Sequence, residues 1–68
     1  MAPFRVDVFT RASGRKADKS LPAGDLEYAR YLLRSETKSL DVTRILILKK
    51  VGKDTWEKVE LWTRSMGE

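Results

Sequence analysis

The chain contains no cysteine and no histidine. The first absence excludes disulfide bonds and thiolate metal sites, and the second removes the commonest general base and the commonest transition-metal ligand. The carboxylates are scattered along the sequence, mostly next to basic residues, and no two of them stand out as an acid–base couple. We therefore expect a non-enzymatic protein that holds no metal ion and no cofactor.

Long apolar runs are lacking as well. No stretch approaches the roughly 20 apolar residues that a membrane-spanning helix needs, and the first residues contain no apolar signal segment. At 68 residues the chain is close to the smallest size at which a domain folds alone, so it must rely on packing or on oligomerisation. We expect one domain over residues 1–68, located in the cytoplasm and without a membrane partner.

Charges of both signs are present, but basic residues outnumber acidic residues by 14 to 10, which gives a net charge of +4. This balance favours acidic partners. Residues 11–20 hold four of the basic residues and one acidic residue, and they show no hydrophobic periodicity. We predict a mobile basic loop over residues 11–21.

The first half of the chain also predicts one strand and one helix. Apolar and polar residues alternate over residues 4–10, as in a half-buried strand. A helix is expected over residues 24–35, with Ser20 or Asp25 as its N-cap. The apolar residues that recur at helical spacing and would form its buried stripe are Leu26, Ala29, Leu32 and Leu33.

The second half predicts a C-terminal β-hairpin followed by a frayed tail over residues 64–68. Residues 42–51 and 55–63 are rich in β-branched and aromatic residues, and the sequence between them, with Gly52, is typical of a turn. The expected fold is therefore α+β, in the order β-α-β-β, with a three-stranded sheet and one amphipathic helix on one face. The helical crossover favours parallel first and second strands and the strand order 1-2-3. Order 2-3-1, with the first strand antiparallel to the third, is the alternative.

This hairpin is apolar on both faces. A loop of two or four residues pairs Leu46 with Val59 and Lys49 with Trp56, and alternate side chains then point to opposite faces. A loop of three residues would shift this pairing and mix the two sets of side chains, so the sorting depends on the turn. The face that we predict to be covered by the helix carries Val42, Leu46, Leu48, Val59 and Leu61. The face that we predict to be a protein interface carries Ile45, Ile47, Lys49, Trp56, Lys58, Glu60 and Trp62. If the helix instead covers the tryptophan face, the leucine face is left open, so a binding surface is expected in both cases.

An uncovered apolar sheet face indicates a small interaction protein. Isoleucines beside tryptophans and an acidic Glu60 favour another protein, or a second copy of this chain, as the partner. Addition of an edge strand of the hairpin to a partner's sheet is a further use of this element. The short length and the β-α-β-β pattern are similar in general style to small proteins of bacteriophages and other mobile elements that bind a host protein. That likeness implies a host-directed partner and assigns no residues.

Nucleic-acid binding is the alternative function. Lysines between aromatic residues on an open sheet can hold phosphates while Trp56 and Trp62 stack on bases. The basic residues expected to contact the phosphates are Arg11, Arg15, Lys16, Lys19, Lys49, Lys50, Lys53 and Lys58.

Overall fold

A computed structural model describes residues 3–12 and 15–64 of the chain. The elements are β1 (Phe4–Thr10), β2 (Lys19–Ala23), α1 (Leu26–Glu36), β3 (Val42–Lys50) and β4 (Trp56–Thr63). The four strands form one antiparallel sheet in the order β2-β1-β3-β4. The predicted α+β class and the C-terminal hairpin are therefore confirmed, whereas the prediction of a three-stranded sheet is wrong.

The additional strand, β2, lies in the segment that was predicted to be a mobile loop or the start of the helix. It pairs antiparallel with β1, which places Leu21 opposite Val6. Leu21 and Ala23 belong to the core, while Pro22 between them is tolerated because β2 is an edge strand and a missing N–H there breaks no central ladder. Two apolar residues separated by a proline are too short a pattern to indicate a strand from the sequence.

The direction of the strands follows from β2. This strand reverses the chain before α1 carries it back, so β3 runs antiparallel to β1 and the predicted parallel pair is wrong. The predicted neighbours are nevertheless correct, because β1 lies next to β3 and β3 lies next to β4. Order 2-3-1 is therefore wrong.

Helix α1 begins where its sequence supplies a cap. Asp25 precedes the first helical residue, and its Oδ1 accepts a hydrogen bond of 2.7 Å from the backbone N–H of Tyr28, so Asp25 and not Ser20 is the N-cap. The predicted apolar stripe packs against the sheet. Its buried members are Ala29 and Leu33, and its partly buried members are Leu26 and Leu32.

A β-bulge at Val59 interrupts the pairing of β3 with β4. Ile47 lies opposite Glu60, but the next residue, Leu48, lies opposite Lys58, so Val59 has no partner across the ladder. One unpaired residue reverses the alternation of side chains in the strand that contains it. Two residues of β4 that lie on either side of Val59, and that would share a face in an unbroken strand, therefore point to opposite faces.

The hairpin register differs from the predicted one already at the turn, because the backbone N–H of Val51 donates to the carbonyl oxygen of Thr55 at 3.0 Å and leaves a loop of three residues, 52–54, instead of two or four. Leu46 lies opposite Leu61, and Lys50 lies opposite Trp56. Strand residues six apart normally share a face, but the bulge separates Trp56 from Trp62, and the two tryptophans point to opposite sides of the sheet.

The residue that follows β4, Arg64, is bonded and not frayed as predicted. Its Nε donates to the carbonyl oxygen of Val42 at 2.8 Å, and its Nη2 donates to the carbonyl oxygens of Thr37 at 3.0 Å and Ser39 at 2.8 Å. Arg64 thereby connects the end of β4 to the segment between α1 and β3. The rest of the predicted tail, residues 65–68, lies outside the described residues.

Candidate interaction surface

Helix α1 covers the sheet face that was predicted to be the interface. Ile45 and Ile47 are fully buried, together with Val6 and Val8 of β1, and Trp62 packs against the margin of the same core. The predictions that these isoleucines and Trp62 are uncovered, and that the helix covers the leucine face, are therefore wrong.

The reason lies in the register of β1 with β3. Val8 lies opposite Ile45, so the valines and isoleucines share a face, while Arg5 and Asp7 lie opposite Leu48 and Leu46. A helix on the leucine face would bury this arginine and this aspartate, which is costlier than burying only aliphatic side chains. The charged residues of β1 thus determine which face is covered.

We call the other side of the sheet the outer face, and no helix or strand in the described ranges, 3–12 and 15–64, packs on it. Its aliphatic residues are Leu46, Leu48 and Leu61, and Leu46 and Leu61 are direct neighbours across β3 and β4. Leu61 is 43% exposed, while Leu46 and Leu48 are half-buried. These three leucines form the aliphatic patch of the surface.

Cations lie over the two aromatic rings of the outer face. The guanidinium carbon of Arg44 is 4.0 Å from the ring centroid of Phe9, and that of Arg5 is 4.7 Å from the ring centroid of Trp56. The Nζ of Lys50 also approaches Trp56, at 5.9 Å from the centroid. Such contacts hold long basic side chains across the sheet with their alkyl portions on apolar groups.

The one carboxylate that points to this face from β1, β3 or β4 is Asp7. It lies 2.9 Å from the Nε of Arg5 and accepts a hydrogen bond of 2.8 Å from the hydroxyl of Ser20 on β2. Asp7 is only 8% exposed, and these two partners compensate the burial of its charge. The hydrogen bond between Ser20 and Asp7 is therefore a structural link between β2 and β1.

The remaining cations leave the outer face positively charged. Arg44 and Lys58 have no acidic partner among the described residues, and Lys50 lies on the same face. The buried Nε of Arg44 and the buried hydroxyl of Thr63, which lies opposite Arg44 across the ladder, have no hydrogen-bond partner among the described residues. The surface therefore combines an aliphatic patch with two cations, Arg44 and Lys58, that have no acidic partner among the described residues.

Of the seven residues predicted as the interface, two lie on the outer face, namely Trp56 and Lys58. Lys49 and Glu60 point to the helix side, where Glu60 lies 3.2 Å from Arg30 of α1. Sequence reasoning missed Arg5 of β1, Arg44 of β3 and the leucines as site residues. The leucine face had, however, been identified as the surface that remains open if the helix covers the tryptophan side.

The residues of the nucleic-acid alternative are spread over several surfaces. Lys50 and Lys58 are on the outer face, but Lys49 points to the opposite side. Lys19 forms an ion pair of 2.9 Å with Glu36 at the end of α1. Half of the predicted phosphate-binding residues therefore lie on strands of the sheet, but they point to different faces.

The other half lie at opposite ends of the sheet. Arg11 follows β1 and its backbone N–H donates to the carbonyl oxygen of Asp41, just before β3 begins. Arg15 and Lys16 belong to the same connection, whereas Lys53 lies in the hairpin loop where β3 has ended. These groups lie at the two ends of β3 and so do not form one continuous basic patch.

Comparison with other proteins adds no assignment. No protein-family model matches the chain, and no curated protein and no solved structure matches it either. Within residues 3–12 and 15–64, no helix is long and apolar enough to cross a membrane, and no group of three or more side chains could hold a metal ion. The outer face is an apolar surface that no described helix or strand covers.

Proposed function

We propose that the protein is a non-enzymatic binding module that docks another protein onto its outer face. The observation that supports this proposal is the aliphatic patch of Leu46, Leu48 and Leu61 on a sheet face that no described element covers. Trp56 lies beside this patch, and charged side chains surround it. Apolar and aromatic residues at the centre with charges at the rim are the composition of protein interfaces.

Docking would remove the aliphatic patch from water, which contributes roughly 25 cal/mol for each Å² of apolar surface. The sheet presents the patch from paired strands, so little conformational entropy is lost when a partner binds. A rigid, one-sided surface of this kind is suited to recognition.

A catalytic role is less well supported, because the best-placed carboxylates already have structural partners. Asp7 is held by Arg5, Asp25 caps α1, Glu36 pairs with Lys19, and Glu60 pairs with Arg30. A general acid or base must instead be available to a substrate.

Nucleic-acid binding is also less well supported. Base stacking requires an accessible ring face. Trp62 packs against the core, Phe9 is 7% exposed beneath Arg44, and Arg5 lies over Trp56. These three rings are therefore each in contact with other groups of the chain.

Site-specific photocrosslinking tests the proposal. Benzoylphenylalanine replaces Leu61 on the outer face, and in a matched variant it replaces Tyr31, which is 63% exposed on α1 at the opposite side of the molecule. In cells that produce the protein, we expect position 61 to yield a discrete adduct with another protein and position 31 to yield none. Mass spectrometry of the adduct identifies the partner.

The specificity of the adduct is checked with Leu48→Asp. This substitution places a carboxylate in the aliphatic patch and should abolish crosslinking from position 61, because the partner would have to desolvate the new charge. Circular dichroism establishes that the variant remains folded. Equal adducts from positions 61 and 31, or no adduct from position 61, would contradict the assignment of the outer face.

A further inference from the structure

We infer that the partner of the outer face is acidic: a protein segment in which apolar side chains are flanked by carboxylates. This inference rests on the proposed function and specifies the chemistry of the partner. It follows from the charge on the face, from the groups there that lack partners, and from what the same face would meet in a second copy of the chain.

The charge on the outer face is one-sided. Its strands β1, β3 and β4 contribute four cations, Arg5, Arg44, Lys50 and Lys58, against one carboxylate, Asp7. That carboxylate is 2.9 Å from Arg5 and accepts from Ser20. It therefore neutralises its neighbour on β1, and Arg44 of β3 and Lys58 of β4 have no carboxylate partner among the described residues.

Arg44 is the clearest unsatisfied group. Its guanidinium lies over Phe9 and has no acidic partner among the described residues, and its Nε is buried without an acceptor. The hydroxyl of Thr63, opposite Arg44 across the ladder, is also buried and has no hydrogen-bond partner among the described residues. A carboxylate placed beside Arg44 would accept the charge-assisted hydrogen bonds that guanidinium groups form most strongly. Lys58, on the far side of the aliphatic patch, offers a second contact of the same sign.

A second copy of the chain is a poor occupant for this face. In a two-fold dimer the same patch contributes both halves of the interface, so the face that carries Arg44, Lys50 and Lys58 would meet a second face with the same excess of positive charge. Juxtaposed like charges oppose association and suppress wrong partners. A segment with carboxylates at the corresponding positions has the complementary charge.

A polynucleotide would satisfy the cations but not the centre of the face. Leu46, Leu48 and Leu61 would be covered by phosphates and sugars without gaining apolar contacts. The ring of Phe9 is buried beneath Arg44 and offers no surface to a base. The combination of leucines with cations thus favours a polypeptide that carries both leucine-like side chains and carboxylates.

The test uses the full chain, labelled with ¹⁵N, and three synthetic peptides of the same length. Each peptide carries leucines flanked by glutamate, by glutamine or by lysine. We expect the glutamate peptide to shift amide signals of β3 and β4 and to bind roughly three- to tenfold more tightly than the glutamine peptide, as one or more exposed ion pairs would give. The difference should shrink as salt is added, and the lysine peptide should bind most weakly.

Two charge reversals provide the matched comparison. Lys58→Glu, on the outer face, should remove the preference for glutamate over glutamine. Lys38→Glu, beyond the end of α1, makes the same change in net charge away from the face and should leave the preference intact. An equal loss in both variants would show attraction by net charge alone and would overturn the inference.

Other results also overturn it. A glutamate peptide that shifts the outer-face signals no more than the glutamine peptide excludes an acidic partner, while a crosslink from position 61 still supports the proposed function. Tighter binding of a mixed-sequence oligonucleotide at the same amides assigns the face to nucleic acid. A dimer detected by sedimentation and disrupted by Leu48→Asp assigns it to a second copy.

Discussion

At the scale of single residues, Arg64 connects the end of β4 to the segment that leads from α1 into β3. One guanidinium donates to the carbonyls of Thr37, Ser39 and Val42. These carbonyls lie at and beyond the C-terminal end of α1, where the last carbonyls of a helix have no partner within the helix. Arg64 therefore fixes the path of the chain from α1 into β3.

Replacing Arg64 with lysine should destabilise the protein by about 1–2 kcal/mol, because a single ammonium cannot reproduce a planar fork that bonds several carbonyls. Urea unfolding followed by circular dichroism measures the change. The substitution keeps the charge, so the loss reports on the geometry of the hydrogen bonds.

Arg34→Lys is the control for this substitution. Arg34 is exposed in the last turn of α1, and both side chains keep a positive charge near the helix C-terminus. Its effect should stay within about 0.5 kcal/mol. Similar losses in the two variants would show that the contacts of Arg64 contribute nothing specific.

At the scale of elements, α1 depends on its N-cap as well as on its buried stripe. Asp25→Ala removes the acceptor that is 2.7 Å from the backbone N–H of Tyr28. The expected loss of stability is about 1 kcal/mol, and Asp25→Asn should keep most of it because asparagine is an equally good cap. Thermal unfolding checks both variants.

Asp54→Ala serves as the control for the cap. Asp54 is exposed in the hairpin loop, so removing its carboxylate makes the same change in charge away from α1. The cap is not required for stability if Asp25→Ala and Asp54→Ala shift the unfolding temperature equally.

The elements also show what sequence patterns can and cannot predict. The alternation of β1 and the helical stripe of α1 each contain several apolar residues at regular spacing, and both elements formed where these patterns indicated. The apolar residues of β2 that point inward are only Leu21 and Ala23, with Pro22 between them, and this segment is held as a strand by pairing with β1. Such pairing is a tertiary effect that local sequence does not encode.

The bulge at Val59 limited the prediction of the candidate site in a similar way. Nothing in the sequence around Val59, such as a glycine or proline, marks the unpaired residue, yet it places Trp56 and Trp62 on opposite faces of the sheet. A face assignment carried along β4 by strict alternation therefore fails at one position and reverses every residue beyond it. The composition of the hairpin predicts that an apolar face remains open, but it does not predict which residues form that face.

At the scale of the whole molecule, the sheet has one face in the core and one in contact with solvent. Ile47 and Leu48 are neighbours in β3 that test this division, since Ile47 is fully buried and Leu48 is half-buried on the outer face. Ile47→Ala should destabilise the protein by about 2–5 kcal/mol, and Leu48→Ala should cost about 1 kcal/mol or less.

Ile47→Val keeps the comparison measurable if Ile47→Ala does not fold. Removal of one buried methylene should still cost about 0.5–1.5 kcal/mol. Urea midpoints provide the values. A larger loss for Leu48→Ala than for Ile47→Val would mean that the leucine face is the core, and it would exchange the roles of the two faces.

The bulge at Val59 has a practical consequence for experiments on this protein. It gives the chain two intrinsic fluorophores with separate roles, one on each side of the sheet. Trp62, against the core, should report unfolding, whereas Trp56, beside the aliphatic patch, should report a partner that approaches the outer face. Single-tryptophan variants thus offer two independent optical signals, for folding and for docking, without any added label.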